Sequence, residues 1–440
     1  MQPQIIHRTH HTISRNLISP EALKVLYRIK ENGYLAFLCG GCVRDILLER
    51  EPKDFDLATN ARPEELRKIF RNCRLVGRRF RLAHILFGPE NYIEVATFRA
   101  LSDGTETEVA AASHRLKIDS ARTADGIIVR DNVFGTPEED ALRRDFTVNA
   151  LFYNIADYSL IDYVNGLSDI QARLLRCIGD PRKRYVEDPV RMLRAIRFAA
   201  ALGLQMENET FSAIAECRDY LAMASPARLF EEVLKLFACG DASQVYHYLK
   251  ETGMLGVLFP ALAERVATDS RCDANTAAGF AYLDTCKRDG RSLNPATQFA
   301  VVFGGLHESM AGLHISGADP HAEAGAAMEA VELHFTNLRN RVTVPRSVSM
   351  DVGHIMALQC RFADRRPGNV NRLIRRPSFE DALEYYAFKA HLHQTGHEDV
   401  IWWSTTDIPE PHPSPAHPHA GRPRRRGPRS SPRAPAPHEG

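Results

Sequence analysis

Two aspartates near the N-terminus have the type and spacing that most directly indicate chemistry. Asp54 and Asp56 lie in the run Lys-Asp-Phe-Asp-Leu-Ala at 53–58, which has the pattern of a short strand. Side chains alternate along a strand, so both carboxylates would point to one face and repel each other. A divalent cation relieves that repulsion, and Mg²⁺ prefers oxygen ligands. The pair predicts a magnesium site, whereas an isolated pair of this kind is more often a solvated strand edge.

A glycine turn just before these aspartates strengthens the prediction. Gly40 and Gly41 follow an apolar run at 34–39, predicted as a strand, and precede a predicted helix at 43–48. Without a Cβ atom, their backbone can approach a ligand closely, and a helix start favours anions such as phosphate. Arg44 can add a charge-assisted contact. A glycine pair alone is usually only a turn, but together with the two aspartates it favours a phosphate and metal site.

These motifs are similar to those of a known superfamily. Gly40-Gly41-x-x-Arg44-Asp45 followed by Asp54-x-Asp56 resembles the polymerase-β-like nucleotidyltransferases. The later segments 143–149, 187–198 and 226–232 resemble, in order and spacing, the bacterial class that contains CCA-adding enzymes and poly(A) polymerases. Within that class, segments 72–88 and 294–300 and the Arg/Pro-rich tail resemble the poly(A) polymerase branch. The resemblance spans residues 10–405 and weakens after 260.

The pattern and the resemblance together imply a domain plan. An α/β head with the nucleotidyltransferase fold, a mixed sheet with helices, would occupy residues 1–165. An all-α neck at 166–260 would recognise the nucleotide base, and a helical body at 261–405 would bind RNA. Helical periodicity is expected to dominate from about 137 onward, and residues 100–126 are predicted to form a mobile loop. The Arg/Pro-rich tail at 406–440 has almost no large apolar residues and is predicted to be disordered.

The resemblance also implies a catalytic role for particular acidic residues. Asp54 and Asp56 would bind Mg²⁺, with two ions expected, and could then activate the attacking hydroxyl and stabilise the leaving oxygen. Asp145 matches a further active-site acid and would share a helix face with Asn149; the alternative is a salt bridge to a nearby arginine. Glu94 is the candidate for a third metal carboxylate, or else an exposed strand glutamate. His84 is predicted to be structural.

A second set of residues is implied in nucleotide binding. Asp188 and Arg191 match the family's base-reading pair, and an acceptor beside a donor fork could meet the Watson–Crick edge of adenine. Asp188, which precedes Pro189, could instead be a plain N-cap, or serve both purposes. The full predicted nucleotide-binding set is Gly40, Gly41, Arg44, Asn149, Asp188, Arg191 and Arg194.

Composition suits a protein that binds a polyanion, and it argues against a membrane-spanning or disulfide-rich protein. The 440 residues include 44% apolar residues, have a net charge of +1 and contain no apolar run long enough to span a membrane. The nine cysteines are irregularly spaced, which argues against a disulfide framework, and Cys39 and Cys42 are predicted to be buried beside the glycine turn. Local basic clusters on a nearly neutral chain suit a polyanionic ligand. A cytoplasmic protein is expected.

The resemblance implies a template-independent enzyme that transfers AMP from ATP to single-stranded RNA 3′ ends, releases pyrophosphate and promotes RNA processing and decay. RNA-decay proteins are possible partners. One alternative is a CCA-adding tRNA nucleotidyltransferase, which would use CTP on a truncated tRNA. The other is a non-catalytic RNA-binding protein, which the presence of both aspartates and the glycine turn disfavours.

Overall fold

The computed structural model describes residues 2–77, 81–100, 120–122, 128–131, 133–312 and 319–406. The predicted loop at 100–126 and the predicted disordered tail therefore lie almost wholly outside the described residues. Within them, no helix is both long and apolar enough to cross a membrane.

An eight-stranded mixed sheet forms the N-terminal head, as predicted. The strand order is β1-β10-β9-β2-β3-β6-β5-β4; the β3–β6 pair is parallel and the other neighbours are antiparallel. The strands are β1 Gln4–Ile6, β2 Ala36–Cys39, β3 Asp56–Thr59, β4 Cys73–Val76, β5 Leu82–Leu86, β6 Tyr92–Thr97, β9 Leu151–Asn154 and β10 Leu160–Asp162. Two small ribbons lie outside this sheet, namely β7 Ser120–Arg122 with β8 Ile128–Asp131, and β11 Leu174–Leu175 with β12 Gln205–Met206.

Both faces of this sheet are partly covered by apolar residues. The back face contributes Leu38, Leu57 and Val95 to the main core, together with Leu26 of helix α1. On the front face a second apolar cluster includes Phe37, Ala58, Phe98 and Phe152, and helix α4 adds Ala141 to it. The head helices are α1 Pro20–Glu31, α2 Gly41–Leu47, α3 Pro63–Ile69 and α4 Pro137–Leu142. The helix predicted from Ser19 is confirmed, since Ser19 Oγ accepts a hydrogen bond from the Ala22 amide at 3.1 Å.

Two local predictions in the head are wrong. Asp54 lies before β3 rather than in it, because β2 ends at Cys39, the partner of Asp56, where Gly40 turns the chain into α2. Asp145 lies between α4 and a 3₁₀ turn at Thr147–Asn149, and so does not share a helix face with Asn149. Helices dominate from 137 onward, as predicted, but the sequence did not indicate the two sheet strands β9 and β10 that interrupt them. Their short apolar runs cannot be told from buried helix by periodicity alone.

The rest of the described chain is helical, as predicted. The neck helix expected from Asp188 is observed at Val190–Leu202 and ends at Gly203, whose φ of 60° is left-handed. The helix expected after Ser225 is also confirmed. These helices are α5 Gly166–Gln171, α6 Pro181–Glu187, α7 Val190–Leu202, α8 Asn208–Cys217, α9 Pro226–Phe237, α10 Ala242–Glu251, α11 Met254–Leu258, α12 Pro260–Thr268, α13 Ser270–Arg288, α14 Pro295–Met310, α15 Pro320–Leu338, α16 Arg346–Leu358, α17 Pro367–Leu373, α18 Phe379–His393 and α19 His397–Thr405.

A buried histidine pair joins α14 to α15 in the body. His307 Nε2 and His334 Nδ1 are 2.8 Å apart, and both residues are buried beside Phe303. Burial lowers the pKa of His334 to about 4, and burial followed by the neighbouring His334 lowers the pKa of His307 well below its usual value. The fold therefore favours the neutral form of both rings.

We expect this pair to make the protein sensitive to mild acid. Because the folded-state pKa values lie below 6.5, stability should be full above pH 6.5 and fall as the pH approaches 4. The loss for His334 alone would be about 3 kcal/mol. Urea unfolding between pH 4 and 7.5 measures it for the wild type and for the His307→Leu/His334→Leu double variant.

The double variant should show a shallower pH dependence than the wild type. His247→Leu is the matched control, because the His247 side chain is 66% exposed and should leave the curve unchanged. Parallel curves for the wild type and the double variant across this pH range would contradict the prediction.

Candidate active site

A cleft of about 570 Å³ between the head and the neck brings the predicted residues together. All of the predicted site residues line it except Asp54 and Glu94. The lining residues are Gly40, Gly41, Arg44, Asp56, Arg144, Asp145, Asn149, Asp188, Arg191, Arg194, Phe198, Arg228, Glu231, Glu232 and Lys235. Residues separated by almost 200 positions in sequence thus surround one polar space.

The glycine turn lies directly against Asp56. Gly40 has a φ of 72°, a left-handed conformation that favours glycine, and it precedes the first turn of α2. A Cβ atom on Gly40 would lie 3.1 Å from Arg144 Nη1 and 3.8 Å from Asp56 Oδ2. Glycine therefore both permits the turn and leaves room between an arginine and a carboxylate.

Asp56 is a half-buried carboxylate among other negative charges. Burial, and then the charges of Glu94 and Asp54, raise its pKa to about 6, against the opposing effect of Arg144. Its neighbour across the parallel pair β3–β6 is Glu94. Among the described residues the Asp56 carboxylate has no hydrogen-bonding or ion-pairing partner. This environment disfavours the ionised form of Asp56. A bound cation would relieve the repulsion between the carboxylates.

The predicted three-carboxylate metal site is not formed in this arrangement. In the part of the chain that the structure describes, no group of three or more His, Cys, Asp or Glu residues is placed to hold a metal ion. Asp54 is exposed and lies outside the strand, and Glu94 Oε2 lies 3.3 Å from Nε2 of His84. His84 is also stacked on Tyr92. The metal-binding roles of Asp54, Asp56 and Glu94 stay a prediction.

A chain of hydrogen bonds connects the glycine-turn helix to the neck. Arg44, which is buried, donates to Asn149 Oδ1 at 2.6 Å and to Asp45 Oδ1 at 2.7 Å. Asn149 in turn donates to Asp145 Oδ1 at 3.0 Å. Arg194 of α7 donates to Asp145 Oδ2 from Nε at 2.8 Å and from Nη2 at 2.6 Å. These five residues form one polar network that fixes the head against α7.

Asp145 is the centre of that network rather than an open acid. Besides Asn149 and Arg194, its carboxylate accepts a hydrogen bond from the Phe146 amide at 2.9 Å. Although burial opposes ionisation, the charge of Arg194 and the hydrogen bond from Asn149 hold the pKa of Asp145 well below its usual range. The predicted alternative, a salt bridge to an arginine, is the observed arrangement. We infer that Asp145 positions Arg194 and Asn149.

The predicted base-reading residues line the cleft from the neck. The Asp188 carboxylate accepts two hydrogen bonds from Arg228, each 2.8 Å long, while Pro189 occupies the N-cap position of α7. Arg191 Nη1 donates to the Arg184 carbonyl at 3.0 Å and lies 3.3 Å from Glu187 Oε2. Asp188 thus faces the cleft in a planar, bidentate ion pair with Arg228.

Sequence reasoning missed several residues of the cleft. Arg228 and Glu232 lie in segment 226–232, and Arg144 lies in segment 143–149, so the motifs contained them without indicating a role. Phe198 supports three guanidinium groups, with ring-to-Cζ distances of 4.5–5.1 Å. The available signal was the spacing along α7, where Arg194 precedes Arg197 by three residues and Phe198 by four. The guanidinium groups belong to Arg44, Arg194 and Arg197.

The two cysteines beside the glycine turn are structural, as predicted. Cys39 and Cys42 are both buried and are not joined by a disulfide. Burial raises the pKa of Cys39 to about 12 and that of Cys42 further still, so neither thiol forms a thiolate readily.

Family models match three parts of the chain. Residues 36–176 match the poly A polymerase head domain, and residues 203–265 match a model described as the probable RNA and SrmB-binding site of polymerase A. Residues 317–435 match the polymerase A arginine-rich C-terminus.

Individual relatives agree with these matches. Poly(A) polymerase I of Escherichia coli O6:H1 is 40% identical over 97% of this chain and 93% of its own length. A CCA-adding enzyme of Lactobacillus delbrueckii subsp. bulgaricus is 34% identical over 53% of this chain and 54% of its own. Among solved structures, the Bacillus stearothermophilus CCA-adding enzyme in complex with CTP has a TM-score of 0.60 and 25% identity, covering 88% of this chain and 81% of its own.

Proposed function

The chain belongs to the poly(A) polymerase family of nucleotidyltransferases, and from that membership we propose how its cleft adds AMP from ATP to RNA 3′ ends without a template. The observation that supports the mechanism most strongly is that nine predicted residues from the head and the neck line a single cleft. In the reaction, the terminal RNA hydroxyl attacks the α-phosphate in line, a new P–O bond forms, and the bond to pyrophosphate breaks.

We propose that Asp56, with Asp54 and Glu94 close by, forms the acidic side of the reaction centre. The raised pKa of Asp56 is what a carboxylate shows before a cation neutralises its neighbours. Oxygen ligands of this kind suit Mg²⁺, which would supply charge stabilisation on the phosphate oxygens. Asp56 lies beside the glycine turn, and we place the α-phosphate next to both, on the cleft side.

The positive side chains of the cleft would bind the triphosphate. Arg144 lies beside Gly40 and Asp56, and Lys235 of α9 lines the opposite side. Six basic side chains line the cleft, together with five carboxylates. Burial and then the charges of neighbouring arginines lower the pKa of Arg143 to about 9; these neighbours are Arg99, Arg144, Arg191 and Arg184. A polyphosphate would relieve this repulsion.

Base selection is assigned to Asp188 and Arg191, with Arg228 holding the Asp188 carboxylate in a fixed plane. An acceptor on Asp188 suits the amino group of adenine, and a guanidinium donor suits a ring nitrogen. The protein itself would then choose the nucleotide, and no template would be needed.

Replacing Asp188 by asparagine should change nucleotide choice. Pro189 rather than Asp188 is the N-cap of α7, so a purely structural Asp188 would act through its pair with Arg228, and its replacement would change stability or overall rate but not the ATP:CTP ratio. As a base reader it would lose an acceptor and the charge opposite Arg228, and the ATP:CTP ratio of kcat/KM should fall roughly tenfold to a hundredfold. Steady-state kinetics with each nucleotide on one RNA primer measure this ratio. Asp219→Asn, an exposed aspartate elsewhere on the neck, is the matched control. An unchanged ratio would move base selection to other groups of the cleft.

The comparisons support an RNA substrate in general terms, without a particular RNA or partner protein. A family model named for RNA binding covers residues 203–265, which supports an RNA substrate. Solved relatives include a CCA-adding enzyme complexed with tRNA, and we propose that this chain likewise takes an RNA 3′ end into the cleft. That it does so in the cytoplasm, on single-stranded ends and together with RNA-decay proteins, remains our prediction.

Incubation of the purified protein with Mg²⁺, a generic RNA and each NTP separately tests the proposal. We expect long extension with ATP and little with the other nucleotides. A truncated tRNA with CTP serves as the second substrate, because a CCA-adding enzyme shares the head motifs. If the protein adds only CMP units and one terminal AMP, and only to that tRNA, the result would favour the CCA-adding alternative. Extension with neither would favour a binding protein.

A further inference from the structure

A row of residues that are cross-strand neighbours extends from Asp56 across the sheet. Asp56 pairs with Glu94, Glu94 with His84, and His84 with Arg74, so all four side chains lie on the front face. Neighbouring strands are about 4.8 Å apart, which places the His84 backbone roughly 10 Å and the Arg74 backbone roughly 14 Å from Asp56. The row therefore connects the acidic end of the cleft with the outer edge of the head.

The outer end of this face is open to solvent. Near β2 and β9 the front face is covered by the apolar cluster around Phe98 and Phe152. At the outer end, by contrast, the Tyr92 side chain is 47% exposed and Leu86 is 37% exposed. We call Arg74, His84, Leu86 and Tyr92 the open sheet face.

This surface combines an aromatic platform with a positive charge. The rings of His84 and Tyr92 are stacked, 4.2 Å apart and inclined by 9°. Tyr92 is the exposed ring of the pair and His84 lies partly buried beneath it, and an exposed aromatic ring can stack a nucleobase of any sequence. Arg74 is exposed and has no carboxylate partner among the described residues, which leaves its guanidinium available to a phosphate.

We propose that the open sheet face binds the RNA chain just upstream of its 3′ end, with a base stacked on the Tyr92–His84 pair and a phosphate on Arg74. This inference rests on the proposed function, because that function brings the RNA 3′-hydroxyl to Asp56. A distance of 10–14 Å corresponds to about three or four stacked nucleotides. The basic outer end and the acidic inner end suit a single-stranded RNA that arrives from outside and ends at the reaction centre.

Primer length separates this surface from the reaction centre. We expect Tyr92→Ala to raise the KM for oligoadenylate primers of about ten nucleotides roughly tenfold, and to leave the KM for a dinucleotide primer nearly unchanged. The KM for ATP should change by less than about twofold, because Tyr92 does not line the nucleotide cleft. Tyr92→Phe should restore most of the affinity, since the ring is kept. Arg74→Ala should make the slope of log K against log salt concentration shallower by about the amount expected for one lost phosphate contact.

Binding measured without nucleotide distinguishes the two proposals. Fluorescence anisotropy of a labelled oligoadenylate measures RNA binding at the open sheet face without any reaction. If the wild type binds the RNA in a Tyr92-dependent way but fails to extend it, only the proposed function is overturned. Leu35→Ala is the control, because Leu35 is a similarly exposed apolar residue of the head that lies outside both the cleft and the open sheet face. Unchanged RNA affinity and primer KM in both Tyr92→Ala and Arg74→Ala would overturn the inference. So would a fall in kcat alone, since the His84–Tyr92 stack would then only position Glu94.

Discussion

Replacing Asp56 by asparagine is expected to abolish AMP addition and to leave the fold as stable as the wild type or more so. The activity should fall because Asp56 is the one carboxylate that both lines the cleft and faces Glu94 and Asp54. The stability should not fall because the folded state disfavours its charge. With a folded pKa of about 6, raised from 3.8, the contribution of Asp56 to stability should decrease as the pH rises from about 4 to about 6, opposite in sign to that of the buried histidine pair, so it is read from the difference between the wild type and Asp56→Asn.

The size of this stability effect can be bounded. A shift of this magnitude corresponds to roughly 3 kcal/mol at most above pH 6, and asparagine would recover part of it. Thermal unfolding at pH 5 and pH 7.5 measures it, with primer extension assayed on the same samples. Added Mg²⁺ should raise the unfolding temperature of the wild type more at pH 7.5 than at pH 5, and that of Asp56→Asn less. Near-normal extension by Asp56→Asn would disprove the assignment of the reaction centre.

Replacing Arg194 by methionine should destabilise the protein strongly. The change leaves Asp145 buried with no opposite charge, and breaking one partner of a buried ion pair costs about 3–5 kcal/mol. The double variant Asp145→Asn/Arg194→Met should recover part of that loss. Because the pKa of Asp145 is lowered in the folded state, the pair should stabilise the fold above pH 4 and lose its effect below it. Urea unfolding of the three variants at pH 7 and pH 3 measures both effects.

An exposed ion pair provides the control. Arg182 and Glu216 are joined at 2.6 Å, but each side chain is about half exposed, so Arg182→Met should change stability little. Equal effects of Arg182→Met and Arg194→Met would contradict the account of the network. Activity adds a second criterion, since a positioning role for Asp145 predicts that Asp145→Asn keeps the wild-type Mg²⁺ requirement. A large increase in that requirement would make Asp145 a metal ligand.

The parts of the site that could be predicted are those set by local sequence. Gly40 and Asp56 were found because a left-handed turn and a strand start follow from a few adjacent residues. Asp54 was misplaced because the length of β3 depends on where β2 ends, which is a property of the neighbouring strand.

The ion pairs of the cleft could not be derived from the sequence. Asp145 and Arg194 are 49 positions apart, and Asp188 and Arg228 are 40 apart, so their pairing depends on how α7 packs against the head and how α9 packs against α7. The motifs contained all four residues. Only the tertiary structure shows that Asp145 is fully hydrogen-bonded while Asp56 is left without a partner among the described residues.

A crystal structure of the protein with ATP and Mg²⁺ would test the central claim most directly, namely that one cleft between head and neck both selects adenine and positions its α-phosphate. We predict the adenine against Asp188 and Arg191 and the triphosphate in the cleft against the Gly40 turn and Arg144, with the α-phosphate beside Asp56. Nucleotide bound in the helical body, or bound in the cleft with its base pointing away from Asp188, would contradict it.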